Sequence, residues 1–463
     1  MSETRIEKDS LGEVTVPKEA LWGAQTQRAI NNFPVAMRPL PIAFIHAVVR
    51  IKRCAADSNQ ALGLLDEERA EAIRHACDQI LSGAHEDQFP VDVFQTGSGT
   101  SSNMNVNEVL ATLASRQCPE PVNANDHVNM SQSSNDVIPT AIHVSAYLSV
   151  RDQLLPALDH LMSVIERRED DARSVVKTGR THLMDAMPVT MAQELYTWRD
   201  QLARACGRIE AASAGLLPVP QGGTAVGTGI NAHPDFAGRF AAALSELCEA
   251  PFSAMEHPFT AQSGVDAPLA LSAQLRGLGA VLMKIANDLR WMNSGPIHGL
   301  GEITLPALQP GSSIMPGKVN PVIPESVAMV SAQLNGLDSA INSAAQSGNF
   351  QLNVMLPLVA NNLLEMTGLV SRVSVLLADN AIDGMTLNQE VMAGAVGRNP
   401  VLVTALNPVI GYAKAAEVAK KAYATGQSIL EVAAAETDVP RETLEQLLDP
   451  IKLTRGGLPD TGA

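Results

Sequence analysis

The chain has 463 residues, 46% of them hydrophobic and 18% charged, which suits a large buried core and, by length alone, roughly two to four domains. A formal net charge of −16 argues against a nucleic-acid partner, and an aromatic content of 3% argues against base-stacking platforms. An acidic small molecule stays open as a ligand, but only through a local cationic pocket.

The start, Met1-Ser2-Glu3-Thr4-Arg5-Ile6-Glu7-Lys8-Asp9, is charged and lacks an apolar h-region, so no signal peptide is expected. Up to about residue 135 the chain reads as shorter helices separated by polar turns. The five cysteines, Cys54, Cys77, Cys118, Cys206 and Cys248, are widely spaced, with none of the two-residue gaps of zinc, thioredoxin-like or iron–sulfur sites. They read as reduced core thiols, and the expected location is cytoplasmic. No uncharged apolar stretch of about 18 residues is present, so no membrane span is expected.

The first polar run is Thr96-Gly97-Ser98-Gly99-Thr100-Ser101-Ser102-Asn103-Met104-Asn105-Val106-Asn107-Glu108. Hydroxyls and glycine-freed backbone N–H groups are good carboxylate donors, and residues 105–108 could equally open a helix whose N-terminus attracts anions. The second, Ser131-Gln132-Ser133-Ser134-Asn135-Asp136, stands ahead of a long helical pattern and reads as a cap. Residues 142–172 and 189–214 carry helical periodicity, and Pro156 predicts a kink in the first. Between them lies Gly179-Arg180-Thr181-His182-Leu183-Met184-Asp185, where a lone histidine beside a glycine turn is more often structural than catalytic. The glycine-rich run at 221–229 lacks both the spacing and the preceding strand of a dinucleotide fingerprint, so neither NAD nor FAD is expected. No HExxH motif or tight His/Asp cluster offers a metal site.

Leu271, Leu275, Leu278, Leu282, Ile285, Leu289 and Met292 are separated by 4, 3, 4, 3, 4 and 3 residues. Leu356, Val359, Leu363, Met366, Val370, Val373 and Leu377 run 3, 4, 3, 4, 3 and 4. Each seam predicts a helix on the order of 30 Å or longer. With the Ala/Ser-rich segment 325–345, these patterns imply a bundle of long helices, and seams of this length suggest one shared between copies of the chain. After about residue 395, Asn399-Pro400 and Asn407-Pro408 mark turns, and residues 411–426 and 428–437 read as short helices. No alternation is long enough to demand a large sheet.

The most informative run is Gly311-Ser312-Ser313-Ile314-Met315-Pro316-Gly317-Lys318-Val319-Asn320-Pro321. Its glycines and prolines predict a loop carrying two hydroxyls, a cation and an amide. It is not a phosphate-binding P-loop: five residues separate Gly311 from Gly317, and Val319 follows the lysine where a hydroxyl is required. It suits an anion held by Lys318 and Asn320 beside a serine that can move.

Together these clusters resemble the class II fumarases, within the fumarase/aspartase superfamily. The resemblance runs from Leu21-Trp22-Gly23-Ala24-Gln25-Thr26-Gln27-Arg28 to Leu406-Asn407-Pro408-Val409-Ile410-Gly411-Tyr412, and the 311–321 loop is similar to the superfamily signature. It implies a mainly α, three-domain fold: 1–138 mostly helical, 139–395 a long central bundle, 396–463 a small helical domain. It also implies a homotetramer with active sites shared by three subunits, no cofactor, and reversible hydration of fumarate to L-malate through an aci-carboxylate carbanion.

Carried over by position, the resemblance makes Ser312, His182 and Glu325 the catalytic set. Either Ser312 removes the carbon-bound proton, or His182 with Glu325 activates the water. Ser98, Thr100, Ser133, Ser134, Asn135, Thr181, Lys318 and Asn320 become the substrate's hydrogen-bonding shell. A second, peripheral dicarboxylate site of the family uses a His-Pro-Asn-Asp run. Here Asn125 and Asp126 remain but Asn123 stands at the histidine position, so dicarboxylate binding there is not expected. Aspartate ammonia-lyase is the nearest alternative, although Ser133-Ser134-Asn135 and Gly97-Ser98-Gly99-Thr100 are more similar to fumarases. A non-catalytic scaffold is disfavoured because Ser312, His182 and Lys318 are all present.

Overall fold

The computed structural model describes residues 3–457. Helices dominate, and each small sheet has two strands. Strands β1 (Thr4–Asp9) and β2 (Gly12–Pro17) pair antiparallel, with Thr4 facing Pro17 and Asp9 facing Gly12. A reading of hydrophobic periodicity misses this hairpin because charged residues crowd it. Arg28 holds it instead, forking onto the Asp9 carboxylate at 2.8 and 3.0 Å and donating to the Gly12 carbonyl at 3.0 Å.

Helices α1 (Ala24–Asn32), α2 (Ile42–Ala61), α3 (Glu67–Leu81), α4 (Thr100–Ser115) and α5 (Ser134–Ser149) follow. Gly23 at the start of α1 has no side chain with which to cap it. The Glu108 carboxylate of α4 does so, accepting from the N–H groups of Gly23, Gln25 and Thr26 at 2.9–3.1 Å and from the Thr26 hydroxyl at 2.5 Å. Helix α4 opens at Thr100, earlier than the polar run suggests, because Gly99 takes a left-handed φ of 72° that turns the chain into the helix. A Cβ there would meet Ile138 at 2.9 Å.

Helix α6 (Leu155–Asp171) continues from α5 through a π-helical turn, Val150–Leu154. The interruption expected at Pro156 thus lies one turn earlier: proline brings no N–H for the Asp152 carbonyl, and the ladder widens ahead of it. Strands β3 (Val176–Thr181) and β4 (Met184–Thr190) form a second hairpin, which precedes α7 (Met191–Ala214). Helices α8 (Phe236–Cys248), α9 (Phe259–Ser263), α10 (Asp266–Met292), α11 (Val322–Ala345) and α12 (Leu356–Leu377) complete the long-helix region.

The two heptad seams are the buried faces of α10 and α12; every one of their residues is at most 3% exposed. By length and composition α10 could cross a membrane. Its seam, however, is packed inside the protein, and Arg276, Lys284 and Asp288 elsewhere on the helix are ion-paired. Beyond α12 come α13 (Gln389–Arg398), α14 (Asn407–Ile410), α15 (Tyr412–Thr425), α16 (Ile429–Glu436) and α17 (Arg441–Leu447). Gly411 and Gly426 flank α15, and Ser428 caps α16 in a capping box with Glu431.

Two compact units emerge, each assembled from separate stretches. One comprises Met1–Pro156, Ala205–Gly279 and Val330–Arg372; the other comprises Ala157–Arg204, Ala280–Met329 and Val373–Ala463. Within the first, α2 packs against α3, α5 and α8, and the Asp338 carboxylate of α11 takes Ser272 at 2.5 Å and Arg276 at 2.8 Å from α10. Within the second, Arg199 of α7 forks onto Glu169 of α6 at 2.7 and 3.3 Å. Trp198 donates to Asp288 of α10 at 3.2 Å, and the C-terminal helices close over Leu406, Val418, Ala422, Val432 and Leu444.

Candidate active site

The second unit carries the 311–321 loop. Gly311 is required there, because a Cβ would lie 1.9 Å from the Lys318 carbonyl oxygen. That approach lets the loop bond to itself: the Asn320 amide donates to the Gly311 carbonyl at 2.5 Å, and Lys318 Nζ donates to Asn320 Oδ1 at 2.8 Å. Ser312 Oγ accepts from the backbone N–H groups of Met315 at 3.0 Å and Ile314 at 3.3 Å. Two main-chain donors on one hydroxyl oxygen favour a negative charge at that atom.

Lys318, Asn320 and Glu325, which sits in the first turn of α11, line one cavity of about 590 Å³ together with Arg290 and Asn293. Ser312, Thr181 and His182 are not among its lining residues. Thr181 ends β3, and His182 forms the exposed tip of the β3–β4 hairpin with Leu183. Both turn residues have left-handed φ values, 56° and 62°, in a two-residue connection that ordinarily selects Asn or Gly. Below the tip lies a group the sequence does not reveal: the Glu302 carboxylate, 1% exposed, with Arg180 Nη1 donating at 2.8 Å and Lys177 Nζ 3.0 Å away.

The first unit carries the hydroxyl clusters. Ser98 Oγ and Thr100 Oγ1 are hydrogen-bonded at 2.8 Å where α4 begins. Ser133 caps α5 in a capping box with Asp136, Ser134 occupies its first turn, and Asn103 of α4 donates to Ser134 Oγ at 3.0 Å. Asn135 donates to the Ala225 carbonyl at 2.8 Å. A polar cavity of about 380 Å³ is lined by Ser133 and Ser134 with Asn103, Asn129, Gln132 and Asn231; Ser98, Thr100 and Asn135 lie outside its lining.

Buried charges organise this cluster. The Asp136 carboxylate accepts from the N–H groups of Ser133 at 2.9 Å, Gly222 at 3.0 Å and Thr224 at 2.9 Å, which docks the glycine-rich run 221–229 onto the start of α5. Burial pushes Asp136 up to about 6, against the pull of those donors. Lys52 of α2 is fully buried and donates to Asn129 at 2.9 Å and Gln132 at 3.0 Å. Burial lowers its ammonium to about 7, opposed by the field of Asp136. Lys52 carries no sequence signal of its own, because it stands in the run Arg50-Ile51-Lys52-Arg53 and nothing there marks it as the buried cation.

Asn125 and Asp126 fall in a π-helical turn, Ala124–Val128, whose first N–H groups, their own, bond to Asn123 Oδ1 at 2.8 and 2.9 Å. The residue at the histidine position is thus occupied as a cap. Asn123 and Asn125 line a cavity of about 730 Å³ with Arg5, Lys8, Arg28 and Glu108, and Asp126 is not part of that lining.

A sequence profile of the lyase family matches residues 12–336, and one described as the fumarase C C-terminus matches residues 402–455. The chain is 58% identical over 458 residues to fumarate hydratase class II 2 of Pseudomonas aeruginosa, covering 99% of this chain and 100% of that protein. It is 54% identical over 454 residues to fumarate hydratase class II of Xylella fastidiosa, covering 98% and 96%. The crystal structure of recombinant class II fumarase from Schistosoma mansoni is similar with a TM-score of 0.94 at 36% identity, covering 98% of this chain and 99% of that one. The matched stretches hold the self-bonded Ser312 loop, the hydroxyl-bearing start of α4, the capped start of α5 and the C-terminal helices alike, and the chain belongs to the class II fumarate hydratases of the lyase family.

Proposed function

We infer that the protein interconverts fumarate and L-malate through an aci-carboxylate dianion, with Ser312 as the base. The observation that carries this reading is the pair of backbone N–H groups on Ser312 Oγ, since the same donors stabilise the alkoxide the reaction needs. In the malate direction the Ser312 alkoxide takes the proton from the carbon beside one carboxylate. The freed electron pair spreads into that carboxylate, collapse of the dianion expels hydroxide from the neighbouring carbon, and His182 protonates it to water. Glu325 orients and charges His182. Lys318 and Asn320 hold the carboxylate that gains charge, where stabilisation is worth most. Thr181, Ser98, Thr100, Ser133, Ser134 and Asn135 supply further hydrogen bonds to the diacid.

The working enzyme in this reading is a homotetramer whose sites each draw on three subunits, built from the chain segments 1–138, 139–395 and 396–463. Family membership favours this reaction over ammonia elimination from aspartate. Ser312→Ala is expected to lower turnover of malate, followed by the ultraviolet absorbance of fumarate, by about 10²–10⁴-fold. Near-normal turnover would remove Ser312 from the role, and fumarate released from aspartate but not from malate would reverse the choice of reaction.

A further inference from the structure

The geometry points to Glu302 as a positioning residue for the reaction: its buried carboxylate clamps the hairpin that presents Thr181 and His182. The inference rests on the role given to His182 above. The turn at His182–Leu183 is the starting point. Two side-chain-bearing residues with left-handed φ in a two-residue connection are disfavoured, and such a turn persists where its surroundings over-determine it. The register below the turn also slips between Thr178 and Arg180, so ladder bonds alone hold the tip weakly.

Glu302 supplies the missing constraint. One oxygen accepts from Arg180 Nη1 at 2.8 Å, two residues before His182. The other lies 3.0 Å from Lys177 Nζ at the base of the same strand, close but without hydrogen-bond alignment. Lys177 is itself 4% exposed, and its ammonium also reaches Glu194 of α7 at 3.3 Å. The backbone of Glu302 is tied at both ends, its N–H to the Met292 carbonyl at 2.8 Å and its carbonyl to the Asn388 N–H at 2.9 Å. The carboxylate is therefore fixed to the end of α10, and it grips β3 from that fixed point. A shift of the tip by about 1 Å is enough to cost about 100-fold in a positioned reaction.

The test is a double-mutant cycle on the full-length enzyme, with Glu302→Gln and His182→Asn measured alone and together. Glu302→Gln keeps the shape and one acceptor but loses the charge that holds both cations. It is expected to lower kcat about 10–100-fold while KM for fumarate moves less than about threefold, and Glu302→Asp is expected to recover part of the loss. In the His182→Asn background the same change is expected to cost less than about twofold, because the group being positioned is gone. Penalties that multiply would overturn the inference, as would Glu302→Gln with normal kcat beside a crippled His182→Asn. A His182→Asn enzyme with unchanged turnover would remove the histidine from the mechanism, and this inference with it. If Glu302→Gln does not accumulate as folded protein, Arg180→Gln carries the same cycle with the same expectations, since Lys177 still neutralises Glu302.

Discussion

The start of α5 and the 311–321 loop are both short and polar in sequence, yet they are built in opposite ways. The first is organised from beneath by charges taken out of water: Asp136 gathers three backbone donors, and Lys52 reaches Asn129 and Gln132. The second is largely exposed and holds its shape with bonds to itself, from Asn320 to Gly311, Lys318 to Asn320, and the turn N–H groups to Ser312. A site rooted in a buried network should resist change in geometry and fail through stability. A self-bonded exposed loop can fail in activity while the rest of the fold is untouched.

The sharpest way to break this contrast is Gly311→Ala. The added methyl collides with the Lys318 carbonyl, so the loop must open. Turnover should fall by about 100-fold or more, while the thermal midpoint of the purified protein moves little. A large loss of midpoint would mean that the loop is part of the core. Next in size is Asp136→Asn, whose amide turns an N–H₂ toward a backbone donor. The expected loss is about 2–3 kcal/mol of stability, read by denaturant unfolding, with a higher KM among the surviving folded molecules.

Smaller, and specific to the buried side, is a pH dependence. Lys52 has its folded value lowered from 10.5 to about 7, so between these values the unfolded chain binds the extra proton and stability rises with pH. Asp136 is raised from 3.8 to about 6, so across that lower window its contribution falls as pH rises. The thermal midpoint of the wild type minus that of Lys52→Met should therefore grow from pH 7 toward pH 10. A flat difference would show that the Lys52 ammonium stays charged inside the fold. The smallest expected effect lies outside both regions. Ser428→Ala removes the α16 capping box and should cost about 1 kcal/mol without changing kcat.

What was legible in the sequence follows the range of the signal. The heptad seams of α10 and α12, the cap ahead of α5 and the short helices read at 411–426 and 428–437 are written within a few neighbouring residues, and the structure places them as read. The β3–β4 hairpin was hidden because its turn uses His182 and Leu183 rather than the residues that favour left-handed φ. The β1–β2 hairpin was hidden because Arg28, and not an apolar face, holds it. Glu302 was out of reach for another reason: its partners Arg180 and Lys177 stand more than a hundred residues earlier, and nothing local marks a lone Glu as buried. The role of 221–229 was legible only as a negative, no nucleotide, until Asp136 was seen to collect its N–H groups.

The borrowed cap on α1 has a consequence for how the chain assembles. A nine-residue helix is too short to persist by itself in water, and the carboxylate that satisfies its leading amides arrives from Glu108, more than eighty positions downstream. Helix α1 is therefore expected to settle only once α4 is in place, and the slow hydrogen–deuterium exchange of its leading amides is expected to be lost when α4 loosens.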